Sequence, residues 1–456
     1  MRRSAGLLAC LGIALVLGAL ARAAAAPAPS FARATRYVTG AGPNALAVGD
    51  LNGDGKPDLV TANVGEAGTD ECSTHSVSVL LNRGGGKFRA RHDYPARRCP
   101  AEIAIGDLNG DGKPDLATAN WTDPDSPTST VSVFANRGDG TFGPKQDFAT
   151  ASGAASIAIA DVNGDGASDV ITSSGFSLGC ADVETVSVLL NRGDGTFQPR
   201  STYRVGSCPN LAVGDANGDG APDIVTADSE DNAVSVLLGN SDGSFQARRV
   251  YAAGQDPESV AIGDLNGDGK QDLAVSSGLT VNVLLNAGGG SFRRAGQYLT
   301  GQLSAGGQTI AIADLSGDGA ADVVVASSDP ESVMLFVNRG KGRLLPELDY
   351  GAGWPLAIAA ADLNGDRRVD VVTADDDGRV SLFLNRPGLC NVQLVGGLKL
   401  AAAKRKLARA RCRVGRVSFV HSTDPKGLVV KERPRFGAVR PAGARVDLVV
   451  SLGRKR

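Results

Sequence analysis

Histidine is nearly absent. His75, His92 and His421 are the only three in 456 residues, and none stands in a metal-protease or nucleophile motif. No serine elbow and no phosphate loop appear either, so no residues are nominated for hydrolytic or nucleotide chemistry. Long apolar runs are missing too. The longest, Leu7–Leu20, follows Arg2 and Arg3 and is too short to span a bilayer comfortably. With the small residues after it, the segment reads as a signal peptide over 1–26, cleaved between Ala23 and Ala26. The expectation is a protein secreted or held at the cell surface.

Carboxylates are not scarce, but they are patterned. The string DLNGDGKPD recurs seven times with small changes, its starts 57, 54, 54, 49, 50 and 48 residues apart. A period near fifty residues means one supersecondary unit copied side by side, and strand-rich periods of that length are propeller blades. Of the 49 acidic residues, 21 are the three aspartates of each copy. Glycoside hydrolysis needs only two carboxylates, so that chemistry stays open, although no pair stands out for it.

The string places side-chain oxygens at alternate loop positions, as a calcium loop does. Positions one, three, five, seven and nine are Asp50, Asn52, Asp54, Lys56 and Asp58 in the first copy. They are Asp107, Asn109, Asp111, Lys113 and Asp115 in the second, and Asp161, Asn163, Asp165, Ala167 and Asp169 in the third. The fourth has Asp215, Asn217, Asp219, Ala221 and Asp223, and the fifth Asp264, Asn266, Asp268, Lys270 and Asp272. The sixth has Asp314, Ser316, Asp318, Ala320 and Asp322, and the seventh Asp362, Asn364, Asp366, Arg368 and Asp370. Position seven offers its backbone carbonyl. Calcium takes six to eight oxygens at flexible distances, so up to seven ions are expected. Turn-forming preference explains one Asp/Asn/Gly string, but not three carboxylates at fixed offsets seven times. Ser316 is a poorer ligand than asparagine, and Arg367 replaces the position-six glycine with strain and a positive charge.

A second string follows each loop, such as VSVLLNRGDGTF from Val186: a β-branched strand, a glycine-rich hairpin and another strand. Each period therefore has four strands, A innermost to D outermost. The seventh copy stops after VSLFLNRPG, while FARATRYV at Phe31–Val38 looks like a strand D without its blade. That segment should complete blade seven and remove the exposed edges of an open array. The fold class is thus all-β, a seven-bladed propeller over 31–386. Arg137-Gly138-Asp139, repeated at 192–194, is explained by its place in the C–D hairpin.

These repeats resemble the FG-GAP/VCBS family, the blades of integrin α-subunit propellers and of many secreted bacterial proteins. The resemblance implies a seven-bladed propeller with calcium in the A–B hairpins of several blades.

The B–C loops are long in blades one to three and short in the rest. Trp121, Asp70, Glu71, Asp123, Asp125, Asp182 and Glu184 lie in or beside them, on the face opposite the calcium loops, where repeat proteins place binding insertions. Six cysteines remain after Cys10. Cys72 and Cys99, 27 apart, and Cys180 and Cys208, 28 apart, hold equivalent places and are expected to pair, as are Cys390 and Cys412. The partner is expected to be an extracellular protein or a glycan, bound by a monomer. The leading reading is adhesion or recognition without catalysis, with a lectin as the first alternative and a polysaccharide-active enzyme as the second.

After Gly388 the composition shifts. Residues 389–456 hold six Lys and eleven Arg against two Asp and one Glu, a net of +14, leaving −16 on 1–388. A helix at Leu400–Cys412 and strands in RVGRVSFVHS, GLVVKERP and ARVDLVVSLG are expected. This segment resembles the PASTA domain, which implies a cell-wall role through peptidoglycan; its charge suits anionic wall polymers or headgroups. Nucleic acid is disfavoured by export and by the scarcity of aromatics, Phe419 and Phe436 alone.

Overall fold

The computed structural model describes residues 28–65, 75–121, 129–151, 153–174, 184–207, 209–300, 309–328 and 331–455. Seven four-stranded antiparallel sheets stand side by side. Blade one comprises Pro43–Gly49, Asp58–Asn63, Ser76–Leu80 and His92–Pro95. Blades two to six repeat that order, and blade seven comprises Pro355–Ala361, Asp370–Asp375, Arg379–Phe383 and the N-terminal Thr35–Val38. The ring closes as expected: Thr35 pairs with Leu382 and Val38 with Arg379. Regular pairing covers four residues rather than eight, because Phe31 meets Asn385 only at an isolated bridge. The same break separates strands C and D in other blades, for example Asn82 with Phe88 and Asn136 with Phe142. Strands C and D are continuous in blade five, Thr280–Gly288 with Ser291–Leu299.

Strand A of each blade touches strand A of the next around the whole ring. Small residues at its end allow this. A Cβ on Gly106 would stand 2.6 Å from Ile159 of the following blade. Strands B and C are buried on both faces, Leu59 and Val60, Ser78 and Val79 in blade one, which suits their β-branched composition. At the rim five of the strands D send an aromatic ring against an aromatic of the next blade's C–D hairpin. Tyr37 meets Phe88, Tyr94 meets Phe142, Phe148 meets Phe197, Tyr203 meets Phe245 and Tyr251 meets Phe292, with centroids 4.8–5.5 Å apart and edge-on. That geometry is the favourable one for aromatic quadrupoles.

The C-terminal unit has a helix at Leu400–Arg409, shorter by three residues than expected because Arg411 turns left-handed at φ 58°. Three strands, Arg413–Val420, Arg445–Ser451 and Val429–Arg433, form one sheet in that order. A further pair, Leu389–Asn391 with Val439–Pro441, was not expected. The Cys390–Cys412 disulfide is present. This unit is docked, not swinging. Val392, Val395, Ala403 and Leu407 share one buried core with Leu348 and Tyr350 of blade six and with Phe31. Gln393 exchanges two hydrogen bonds with the Asp349 backbone, 2.7 and 3.0 Å. Lys406 lies buried between Glu347 and Asp349. The dock lies on the outer strand of blade six and on Phe31, Val371 and Phe383 of blade seven.

Candidate functional site

The seven A–B loops share one geometry. At position one, the carboxylate of Asp50, Asp107, Asp161, Asp215, Asp264, Asp314 or Asp362 accepts the position-six amide at 2.7–2.9 Å. Gly55 holds that place at φ 77°, and Arg367 adopts φ 66° at the equivalent point, a conformation that strains a residue with a Cβ. At position five, Asp54, Asp111, Asp165, Asp219, Asp268, Asp318 and Asp366 each accept the position-seven amide at 2.8–3.1 Å. At position three, Asn52, Asn109, Asn163 and Asn217 accept the position-five amide through Oδ1. Asn266 and Asn364 point Nδ2 at the position-nine carboxylate, as Asn109 also does. Ser316 donates its backbone amide to Asp322.

Position nine is different. Asp58, Asp115, Asp169, Asp223, Asp272, Asp322 and Asp370 are fully buried. One oxygen of each accepts the position-two amide, Leu51 for Asp58 at 3.0 Å. The other accepts the amide at the end of strand C, Asn82 at 2.6 Å. These aspartates therefore tie the loop to the strand as well as facing it. Burial raises the Asp58 carboxyl to about 6; the Asn82 and Leu51 amides oppose this, while repulsion from Asp54 and Asp50 reinforces it. The same causes raise Asp169, Asp223 and Asp370 to about 6 and Asp322 to about 7.

Among the described residues no three His, Cys, Asp or Glu side chains alone form a metal-holding group. A cation here would need the Asn oxygens and backbone carbonyls too. The donor set fits a hard cation: every group is oxygen, and the carboxylates at one, five and nine repel each other. In copies one, two and five the position-seven lysine competes. Lys56 reaches Asp54 at 2.8 Å, Lys113 reaches Asp111 at 3.0 Å and Lys270 reaches Asp268 at 3.4 Å. Ala167, Ala221 and Ala320 leave that carboxylate free of such a partner, and Arg368 forms no ion pair among the described residues.

The asparagine of each LLNRG string has a role that sequence reasoning missed. Asn136 donates Nδ2 to Leu51 O of the preceding blade's loop at 2.9 Å and to Pro114 O at 2.7 Å. Asn191, Asn286, Asn338, Asn385 and Asn82 repeat the link around the ring, the last reaching Leu363. Blade four has Gly239 instead, and there the Gly243 amide donates to Val162 O. The recurrence of the asparagine was the available signal.

On the opposite face, the long B–C loops with Asp70, Glu71, Asp123, Asp125 and Asp182 lie outside the described residues, as do Cys72, Cys180 and Cys208. Cys99 is disulfide-bonded, and its carbonyl accepts the Trp121 amide at 2.9 Å. Trp354, which precedes strand A of blade seven, also stands on this face and is 51% exposed.

The architecture defines a closed seven-bladed β-propeller with an Asp/Asn loop between the inner two strands of each blade. The chain belongs to the FG-GAP-like repeat family, whose model matches residues 50–118, 107–172, 177–226, 215–275, 264–325 and 314–373. Among solved structures, BBS1N in complex with ARL6DN is similar in two crystals. The one soaked with mercury is 13% identical over 79% of this chain and 98% of that one, TM-score 0.52. The one soaked with lead is 14% identical over 79% and 97%, TM-score 0.52. An Agrocybe aegerita lectin that recognises non-reducing terminal N-acetylglucosamine is 23% identical over 67% and 79%, TM-score 0.45. No curated protein matches significantly.

Proposed function

We propose that this is an exported recognition protein without catalytic activity, its propeller loaded with calcium and its C-terminal unit associated with the bacterial cell wall. The carrying observation is the seven-fold repetition of one oxygen-rich loop, with carboxylates at positions one and five pre-oriented by loop amides. Calcium would be held by positions one, three, five and nine and the position-seven carbonyl. It would offset the mutual repulsion of the carboxylates and stabilise the folded state by mass action. Thermal melting with calcium and with chelator tests this; a fall of ten degrees or more is expected, on the order of a few kcal/mol over several ions. An unchanged melting temperature rejects calcium loading.

The partner would bind the face opposite those loops. Both tryptophans of the chain, Trp121 and Trp354, stand there, and an exposed indole offers an apolar face beside polar edges, which suits a sugar ring. That suits the lectin-like reading. A glycan array with the calcium-loaded full chain, repeated with Trp354→Ala, decides it. Binding that Trp354→Ala leaves intact removes this face from the reading.

Wall association rests on the +14 charge of residues 389–456 and on their resemblance to wall-associated modules. Co-sedimentation of the full chain with purified walls, from low salt to 1 M, tests it. Attachment should weaken as the Debye length falls from about 10 Å at 0.1 M to about 3 Å at 1 M.

A further inference from the structure

The C-terminal sheet has one face on the helix and one in water. Register assigns the residues. Val446, Leu448 and Val450 are buried, and Val414, Val417 and Val429 lie beside them on the core side. Across the outer side run three rows. Arg413 stands directly opposite Arg445. Asp447 pairs with Arg433 and faces Arg416 across a register shift, and Val449 lies between Ser418 and Lys431. Arg413, Arg416, Arg433, Arg445 and Lys431 are all exposed, so five cations face one acid. That acid is partly committed, since Asp447 accepts the Arg416 backbone amide at 2.6 Å.

None of these five cations forms an ion pair among the described residues. Of the seventeen basic residues in 389–456, only Lys406 does, and it is turned inward to the propeller. Like charges set directly opposite on a sheet are destabilising, and nothing in the fold requires Arg413 to face Arg445. Four of the five are arginines, whose planar fork binds phosphate oxygens in pairs. Neighbouring strands lie about 4.8 Å apart, and alternate residues on one strand about 7 Å apart. The result is a two-dimensional array of cations on the exposed side of the sheet. Of the two exposed apolar residues in these strands, Phe419 pairs with buried Val450 and so belongs to the opposite side, while Val420 pairs with Ser451 at the far end of the outer side, beyond the arginine rows. The apolar residues of the cationic face are two valines, Val449 and Val420, with no aromatic or long aliphatic side chain to insert into a bilayer.

We propose that this face binds a linear polymer of phosphate esters laid across the three strands. The proposal rests on the wall-associated reading above and names the chemistry that face would take there.

The full chain is titrated with long-chain inorganic polyphosphate, with vesicles of phosphatidylglycerol and phosphatidylcholine, and with Gram-positive walls before and after hydrofluoric acid removes their phosphodiesters. Two triple variants remove the same charge. Arg413→Gln/Arg433→Gln/Arg445→Gln strips the sheet face, and Lys399→Gln/Lys404→Gln/Arg405→Gln strips exposed positions elsewhere on the unit. Unchanged melting confirms that both fold. Polyphosphate should bind, weaken about tenfold or more in the sheet variant with a flatter salt dependence, and change about twofold or less in the other. Wall binding should fall after acid treatment. Equal losses in both variants would show net charge alone and overturn the proposal. So would binding to vesicles but not to polyphosphate. Walls bound equally before and after acid overturn this ligand while leaving wall association standing. Polyphosphate bound through the sheet face with no binding to walls upholds the site and removes the wall reading.

Discussion

Asp228 shows how one side chain sets a pH dependence. It closes strand B of blade four, fully buried, accepting hydroxyls from Thr226 at 2.6 Å and from Ser235. Blades one and two have Asn63 and Asn120 at the same point. Blade seven has Asp375, where Arg36 supplies a counter-charge at 3.0 Å. Asp228 forms no such pair among the described residues, and burial, only partly offset by Ser235 and Thr226, raises it to about 6. A carboxyl raised in the folded state is bound to more protons there than in the unfolded chain, so stability falls as pH climbs from about 4 through 6. Asp228→Asn should therefore match the parent near pH 4 and exceed it at pH 7.5 by roughly 1–3 kcal/mol. Denaturant melts at the two pH values check this, and a difference that does not grow with pH contradicts it. Asn136 is a second test. Asn136→Ala frees two carbonyls and the Gly138 amide, at a cost of about 2–4 kcal/mol. The reverse change, Gly239→Asn, does not rescue blade four, because a Cβ there would stand 2.5 Å from Pro222 O; it should destabilise.

At the scale of the element, the N-terminal strand carries more than its four residues suggest. Beyond its ladder with Arg379–Phe383, Tyr37 donates to Gly86 O at 2.7 Å and packs on Phe88, so it joins blade seven to blade one. Deleting residues 31–38 exposes Arg379–Phe383 as an edge and should yield a chain that self-associates and melts well below the parent. Analytical ultracentrifugation and calorimetry decide it, and a monomer with parental melting refutes the closure argument. This strand was legible in the sequence because FARATRYV repeats a pattern whose blade was missing it. The A–B loops were legible for the same reason. The Asn82 link was not, since its partner Leu363 lies 281 residues away and nothing local marks a bond between blades. The extra pair Leu389–Asn391 with Val439–Pro441 was missed because each strand is three residues long, below any readable alternation.

For the whole molecule, the junction of the two units is the least forgiving place. Burial lowers the Lys406 ammonium, but Asp349 and Glu347 outweigh that and raise it above its ordinary value. Removing the lysine alone leaves Asp349 buried without its cation, and that should cost about 3–5 kcal/mol. Lys406→Met with Asp349→Asn should recover much of the loss, which a double-mutant cycle on the full chain measures. Additive losses would show that the pair does not interact.

Ring closure also imposes an order of events in time. Thr35 waits for Leu382, its ladder partner, and at about 5–20 residues per second the intervening chain takes on the order of tens of seconds to be made. For that interval the strand Thr35–Val38 has no blade to complete, and Phe31 lacks Tyr350, Phe383 and Asn391 around it. The contact that closes the propeller thus joins its N-terminal strand to its last blade, so a chain halted short of blade seven should be captured by chaperones and cut by proteases even though most of its blades are complete.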